Sequence, residues 1–180
     1  MIITTKNNRQ IFLQAISEAD FVDVCTYFGR LSEETKHRYG PHSFDLQTLM
    51  DMYNRSGNYQ GYIARSLETS EVIAYAVLKR GFLEHDRQRL RCYGFEPYAE
   101  TDCTYAPSVA DSWQSCGVGG ELFRFILSEL KISNIQRIIL WGGVQADNEK
   151  AVNFYLKFGF RTLGEFEYFG WNKDMVLEIH

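Results

Sequence analysis

One stretch limits how this chain can fold more than any other: Val109-Ala-Asp-Ser-Trp-Gln114-Ser-Cys-Gly117-Val-Gly119-Gly120. It carries a strand-like segment straight into a helix, because after Gly117 the apolar residues Val118, Leu122, Phe125, Ile126 and Leu130 fall at helical spacing. The first N–H groups of a helix have no partner inside it, and the macrodipole adds partial positive charge there. Glycines let those N–H groups come close to a phosphate, with no Cβ in the way and positive φ available. The stretch therefore reads as a phosphate-binding turn. The competing reading is a tight turn before an ordinary helix, since a Gly-x-Gly pair arises by chance about once in a chain of this size. Two rival phosphate motifs fail: Leu122 stands where a dinucleotide fingerprint needs its third Gly, and no Gly-Lys-Ser/Thr follows.

A second segment follows downstream, Val144-Gln-Ala-Asp-Asn148-Glu-Lys-Ala151-Val-Asn-Phe154-Tyr155-Leu-Lys-Phe158-Gly159-Phe160. With Gln114, Gly117 and Gly119 ahead of Asn148, Ala151, Phe154, Tyr155, Gly159 and Phe160, the chain resembles the GNAT superfamily of acyl-CoA-dependent N-acyltransferases. Both signature motifs occur in the expected order and separation. The resemblance implies an α/β fold of the α+β type. Its mixed, mostly antiparallel sheet would have about six to seven strands flanked by about four helices, in the order β-α-α-β-β-β-α-β-α-β-β.

The rest of the chain agrees. A length of 180 residues suits a single domain over residues 1–180 with a real core. Hydrophobic content of 45% and charged content of 23% are ordinary for a soluble globular protein. No apolar run nears the roughly 20 residues that span a bilayer, and Met1 to Arg9 lacks the apolar core of a signal peptide. No membrane partner is expected. Cys25, Cys92, Cys103 and Cys116 show neither metal-ligand spacing nor a disulfide framework, so reduced thiols and a cytoplasmic location are expected. His37, His42, His85 and His180 show no metal spacing either, and no metal is expected. A net charge of -4 speaks against nucleic acid as a partner.

Periodicity places a first strand over Gln10 to Ile16, then a helix that Ser17 and Asp20 can cap, with Phe21, Val24, Cys25 and Phe28 on its face. A polar stretch from Gly29 to Ser43 leads to a helix with Leu46, Leu49, Met50 and Tyr53 on one side. Tyr59 to Arg65 and Val72 to Lys79 read as a hairpin, and a charged connection through Arg91 precedes a strand near Glu100 to Val109.

The resemblance also implies roles. The CoA pyrophosphate would sit on Gln114, Ser115, Cys116, Gly117, Val118, Gly119 and Gly120, mostly through main-chain N–H groups. Pantetheine would pair with the strand edge around Ser108 and Val109, as an added strand would. Asn148 matches a CoA-contacting position, and capping its helix is a compatible alternative. Tyr155 matches the phenol that stabilises or protonates the leaving thiolate, although Ala151, Phe154, Tyr155 and Phe158 also form a stripe that suits a core.

A carboxylate base is expected on the strand before the turn. Glu100, Asp102 and Thr104 share one face by the period-two rule, and Glu100 ranks ahead of Asp102. Asp111, Trp113 and Gln114, with Leu31 to Thr35 upstream, resemble the bacterial protein lysine acetyltransferase branch, whose usual carboxylate falls on Thr104. Either acid substitutes, or a bulge shifts the register, or the base lies elsewhere, with His37 and His42 as loop candidates. Cys116 at a helix N-terminus suggests an acyl-cysteine route, ranked below direct transfer. In the family this position is variable and often basic, so the alternative reading of Cys116 is a neutral substitution that removes one phosphate contact.

Acceptor residues are expected from Arg38, Tyr39, His42 and Phe44, and from Glu165, Glu167, Tyr168, Phe169 and Trp171; core packing or a dimer interface is the alternative for the aromatics. Arg87, Arg89 and Arg91 are expected to form a solvated edge, with the 3′-phosphate of CoA or an acidic acceptor as the alternatives. The expected activity is acetyl transfer from acetyl-CoA to a primary amine, on a small molecule first. A protein lysine or N-terminal acetyltransferase is the rival within the enzyme class, and a non-catalytic acyl-CoA sensing domain is the rival outside it. A homodimer is a further expectation.

Overall fold

A computed structural model of the chain describes residues 1–55 and 57–179. His180, among the histidines scanned for metal spacing, lies outside the described residues. The strands are β1 (Ile2–Thr4), β2 (Gln10–Ala15), β3 (Tyr59–Ser66), β4 (Val72–Arg80), β5 (Asp102–Val109), β6 (Arg137–Leu140), β7 (Val144–Gln145), β8 (Arg161–Glu167) and β9 (Trp171–Glu178). The helices are α1 (Phe21–Arg30), α2 (Glu33–Arg38), α3 (Leu46–Met50), α4 (Arg87–Cys92), α5 (Val118–Leu130) and α6 (Glu149–Lys157). Among these residues the strands form one sheet in the order β1-β2-β3-β4-β5-β6-β9-β7, with β8 paired to β9. The pairs described are antiparallel except β5 with β6. The α/β class and the mostly antiparallel sheet are as expected. β1 and β7 are too short to show a period in sequence.

The chain divides into two compact units, Met1–Leu78 with Ala106–Glu129 and Lys79–Tyr105 with Leu130–His180. In the first, β2 buries Ile11 and Leu13 and pairs with β3 from Ile11↔Ser66 to Ala15↔Tyr62. The Asp20 carboxylate accepts from the N–H and the hydroxyl of Ser17, both at 2.8 Å, and fixes the turn that leads into α1. Helix α1 then buries Phe21, Val24, Tyr27 and Phe28. Cys25, expected on that face, is only half-buried. Helix α5 buries Val118, Leu122, Phe123 and Ile126, and Phe125 meets Tyr62 edge-on at 5.9 Å.

Two sequence expectations change in this unit. The polar stretch after Gly29 is not all loop, because the Ser32 hydroxyl caps α2 by accepting the Thr35 N–H. The face expected from Leu46 to Tyr53 does not form as one stripe. Helix α3 is five residues long and passes into a π-type turn at Asp51–Arg55, so Leu49 is buried while Leu46 and Met50 stay exposed.

In the second unit β9 is central, paired with β6, β7 and β8. Phe82, Leu90, Phe95, Ile139 and Val176 form a core cluster. The charged connection is helix α4, and its arginines are spent on acids. Arg89 grips Asp174 at 2.7 and 3.1 Å and reaches Asp86 at 2.9 Å, while Arg91 pairs with Glu96 and Arg87 with Glu84. Alternation in sequence suggested an extended edge, but the i,i+3 spacing of Asp86 and Arg89 is that of a helix.

Gly61 in β3 is needed for close approach: a Cβ there would stand 2.5 Å from Ile16 Cγ2 and 2.6 Å from the Tyr53 hydroxyl. We expect Gly61→Ala to lower stability by about 1–3 kcal/mol. Urea unfolding should show a lower midpoint at an unchanged slope.

Candidate functional site

The glycine turn lies in the first unit. Asp111–Trp113 form a 3-10 turn after β5, Gln114 is extended, and α5 begins at Val118. Ser115 and Gly117 take positive φ, +63° and +90°, which reverses the chain within a few residues. The N–H groups of Val118, Gly119 and Gly120 are those that a helix start leaves without an intrahelical acceptor. Cys116 is half-buried and both of its sulfur contacts are within the turn and its cover. Its sulfur accepts from Asn7 Nδ2 at 3.3 Å and lies 3.4 Å from the Gln114 carbonyl.

The segments that carried the branch resemblance meet here. Asp111 Oδ2 accepts the Ser32 N–H at 2.9 Å, and Oδ1 accepts the hydroxyls of Ser32 at 2.7 Å and Thr35 at 2.6 Å. Burial alone would raise this carboxyl, but the Thr35 and Ser32 bonds hold it below the usual carboxylate range. Gln114 Nε2 donates to the Val109 carbonyl at 3.3 Å and reaches Thr35 Oγ1 at 3.5 Å.

Sequence reasoning missed what covers the turn from outside, namely the β1–β2 connection. The Lys6 N–H donates to the Cys116 carbonyl at 3.3 Å, and the Arg9 guanidinium lies 3.2 Å over the Trp113 ring. Nothing in the local pattern links residues this distant in sequence.

Strand β5 offers an edge. Its parallel pairs with β6 run from Asp102↔Arg137 to Tyr105↔Leu140, and β5 continues to Val109 beyond the last of them. Ser108 turns its side chain inward: Tyr27 donates to Ser108 Oγ at 2.9 Å, and the pair is buried.

The remaining candidates lie in the second unit. Asn148 caps α6, with Oδ1 accepting the Ala151 N–H at 3.2 Å. Tyr155 is 7% exposed, its ring 5.2 Å from Phe160, and burial raises its phenol so that it stays protonated. Asp102 is fully buried, and Arg137 holds it at 2.7 and 2.8 Å while Tyr98 N–H donates at 2.7 Å. Glu100 does not share its strand face, because it stands in an exposed turn and β5 begins at Asp102. Thr104 donates to the Gly81 carbonyl at 2.8 Å. The three thus do not form one acidic face.

Of the expected acceptor residues, Tyr39 and Phe44 stack on Phe28 in the first unit, which is the packing alternative. Tyr168 and Phe169 are exposed on the β8–β9 turn of the second, and Trp171 is exposed at the start of β9. His42 is tied at both ring nitrogens, Nδ1 to the Ser43 carbonyl at 2.7 Å and Nε2 to the Tyr75 hydroxyl at 3.0 Å. Among the described residues, no group of three His, Cys, Asp or Glu side chains is placed to hold a metal ion.

With this geometry in view, the comparisons decide the family. Residues 27–160 match the model described as the acetyltransferase (GNAT) family. The chain belongs to the GNAT family. No curated protein sequence matches it. Among solved structures, this GNAT chain is similar to the GNAT domain of S. lividans PAT, with TM-score 0.74 and 18% identity over 99% of this chain and 96% of that one. It is also similar to yncA of Salmonella typhimurium with acetyl-CoA, with TM-score 0.69 and 14% identity over 94% of each chain. A third is the Vibrio cholerae spermidine N-acetyltransferase in complex with CoA and spermine, with TM-score 0.68 and 18% identity over 94% and 95%. At these identities the likeness establishes the fold. No described helix is long and apolar enough to cross a membrane.

Two predictions follow from the side chains. Asp102→Asn leaves the half-buried Arg137 charge without its carboxylate, and the unfolding free energy should fall by up to about 3 kcal/mol in denaturant titrations. His42 is held below the ordinary imidazole value by burial, against the Ser43 carbonyl and Asp45, which pull it up. The unfolded chain therefore takes this proton first. The His42 contribution is present above about pH 6.5 and is lost as pH falls through the native value. Acidification should lower the urea midpoint less steeply in His42→Gln than in the parent chain.

Proposed function

We propose that this GNAT chain transfers an acetyl group from acetyl-CoA to the primary amine of a small molecule by direct attack. The observation that carries the reading is the turn at Gln114 to Gly120, where Ser115 and Gly117 take positive φ just before α5 begins, an arrangement that suits an anion on the first N–H groups of the helix. These residues suit a coenzyme diphosphate. The β5 edge at Ser108 and Val109, three and four residues past its last pairing with β6 at Tyr105, suits an amide-bearing pantetheine arm. Asn148 serves the coenzyme through its side-chain amide while its Oδ1 keeps the cap.

In the reaction the amine nitrogen attacks the thioester carbonyl carbon, the C–S bond breaks, and the sulfur leaves with the electron pair. Tyr155, kept protonated by its burial, donates a hydrogen bond to that sulfur as charge develops. Of the two acids weighed as base, Asp102 is committed to Arg137 and Glu100 stands in the turn ahead of β5. Glu100 is the uncommitted acid of the pair and takes the proton of the acceptor ammonium, directly or through water.

Small amines are supported by similarity to the V. cholerae spermidine enzyme and to a putative phosphinothricin N-acetyltransferase. A lysine-bearing peptide is the second reading, favoured by the S. lividans PAT likeness and by the Ser32–Asp111–Thr35 cluster. A cytoplasmic setting fits the free cysteines Cys25, Cys92, Cys103 and Cys116.

Thiol release from acetyl-CoA over a panel of polyamines, amino sugars, amino acids and lysine peptides tests the reading. Turnover on a small amine is expected. Tight CoA binding with no turnover on any amine would leave the sensing alternative standing. Tyr155→Phe should lower kcat at least about tenfold, the loss of one transition-state hydrogen bond.

A further inference from the structure

The Gln114 to Gly120 turn contains no charged side chain. A helix end supplies only about half a positive charge, less than a diphosphate carries with opposite sign. The nearest acid within α5, Glu121 in its first turn, is neutralised by Arg124 at 2.7 Å and does not help. We propose that Lys6, carried in by the β1–β2 connection, supplies the missing cation to the diphosphate of the coenzyme. This inference rests on the acetyl-CoA reading above.

The geometry holds Lys6 against the turn. Its N–H donates to the Cys116 carbonyl at 3.3 Å. Its stem runs along Gly117, with Cγ, Cδ and Cε at 3.5, 3.7 and 3.8 Å from where a Cβ on that glycine would stand. Gly117 is the residue whose φ of +90° turns the chain into α5. The Lys6 side chain is exposed, and among the described residues it takes part in no ion pair. The backbone that carries it is fixed. Thr5 is buried, its N–H donates to the Arg9 carbonyl at 2.9 Å, and its hydroxyl donates to Asn7 Oδ1 at 2.6 Å. Asn8 turns the chain with φ +59° and donates to the Thr5 carbonyl at 3.0 Å.

The side chains of its neighbours in the connection are already engaged with the turn. Asn7 donates to Cys116 Sγ at 3.3 Å, and Arg9 lies 3.2 Å over Trp113. Three successive contacts thus seat the connection on the turn, and one flexible cation is left over beside it. Residue 116 carries an uncharged thiol, and Lys6 brings a cation to the turn from another part of the chain.

Calorimetric titration of the full chain with CoA, dephospho-CoA and pantetheine tests the proposal. Lys6→Gln should weaken CoA and dephospho-CoA by on the order of tenfold, with the loss shrinking at high salt. Pantetheine, which lacks the diphosphate, should bind as before. Lys6→Arg should stay within about threefold of the parent chain, and Cys116→Lys placed on Lys6→Gln should recover most of the loss. Unchanged CoA binding in Lys6→Gln would overturn the inference, as would equal losses for CoA and pantetheine. A loss for CoA but not for dephospho-CoA would overturn it too, because the cation would then serve the 3′-phosphate. A parent chain that binds no CoA would bring down the acetyl-CoA reading itself, a result distinct from each of these.

Discussion

The turn between β5 and α5 works against the preferences of its own backbone. Ser115 sits at φ +63°, a region that charges a side-chain-bearing residue about 1–3 kcal/mol. The surrounding bonds supply the compensation. Asp111 alone accepts three hydrogen bonds from Ser32 and Thr35; they are exposed, so solvent screening keeps each one modest, and their number is what holds the turn. Gln114 ties back to Val109, and Trp113 is buried beneath Arg9. The turn is thus shaped before any ligand arrives, so little binding energy has to go into ordering it.

The second unit uses charge differently. Asp102 with Arg137, and Asp174 with Arg89, are pairs whose carboxylates are removed from water and gripped by a guanidinium at two points. Such pairs add little net stability over apolar residues, yet breaking one is expensive. Their value here is positional. Arg137 fixes the start of β5 against β6, and Arg89 fixes α4 to β9 while lying 3.6 Å from the Phe166 ring centre. A carboxylate tied in this way is poorly suited to exchanging protons with a substrate.

The helix after Gly117, the Asn148 helix and the alternating strands were legible because each repeats its pattern over several turns or residues. The glycine turn was legible because Gly117 needs a backbone that other residues resist. What could not be read is what depends on distant partners. Period-two spacing put Glu100 and Asp102 on one face, but the strand begins two residues later than Glu100, and the hydrogen bond from Tyr98 to Asp102 belongs to the turn that starts it. The arginines after Glu84 looked like a solvated row until Asp174, far along the chain, claimed Arg89. Lys6 carries no local mark at all, since its meaning comes from the Cys116 carbonyl it meets.

Strand β9 pairs with β6, β7 and β8, and it is the last of these to appear along the chain. On a translating ribosome, all three of its neighbours would emerge before the strand that joins them. Their edges toward β9 stay open through that interval, so this part of the sheet closes only once β9 has been made.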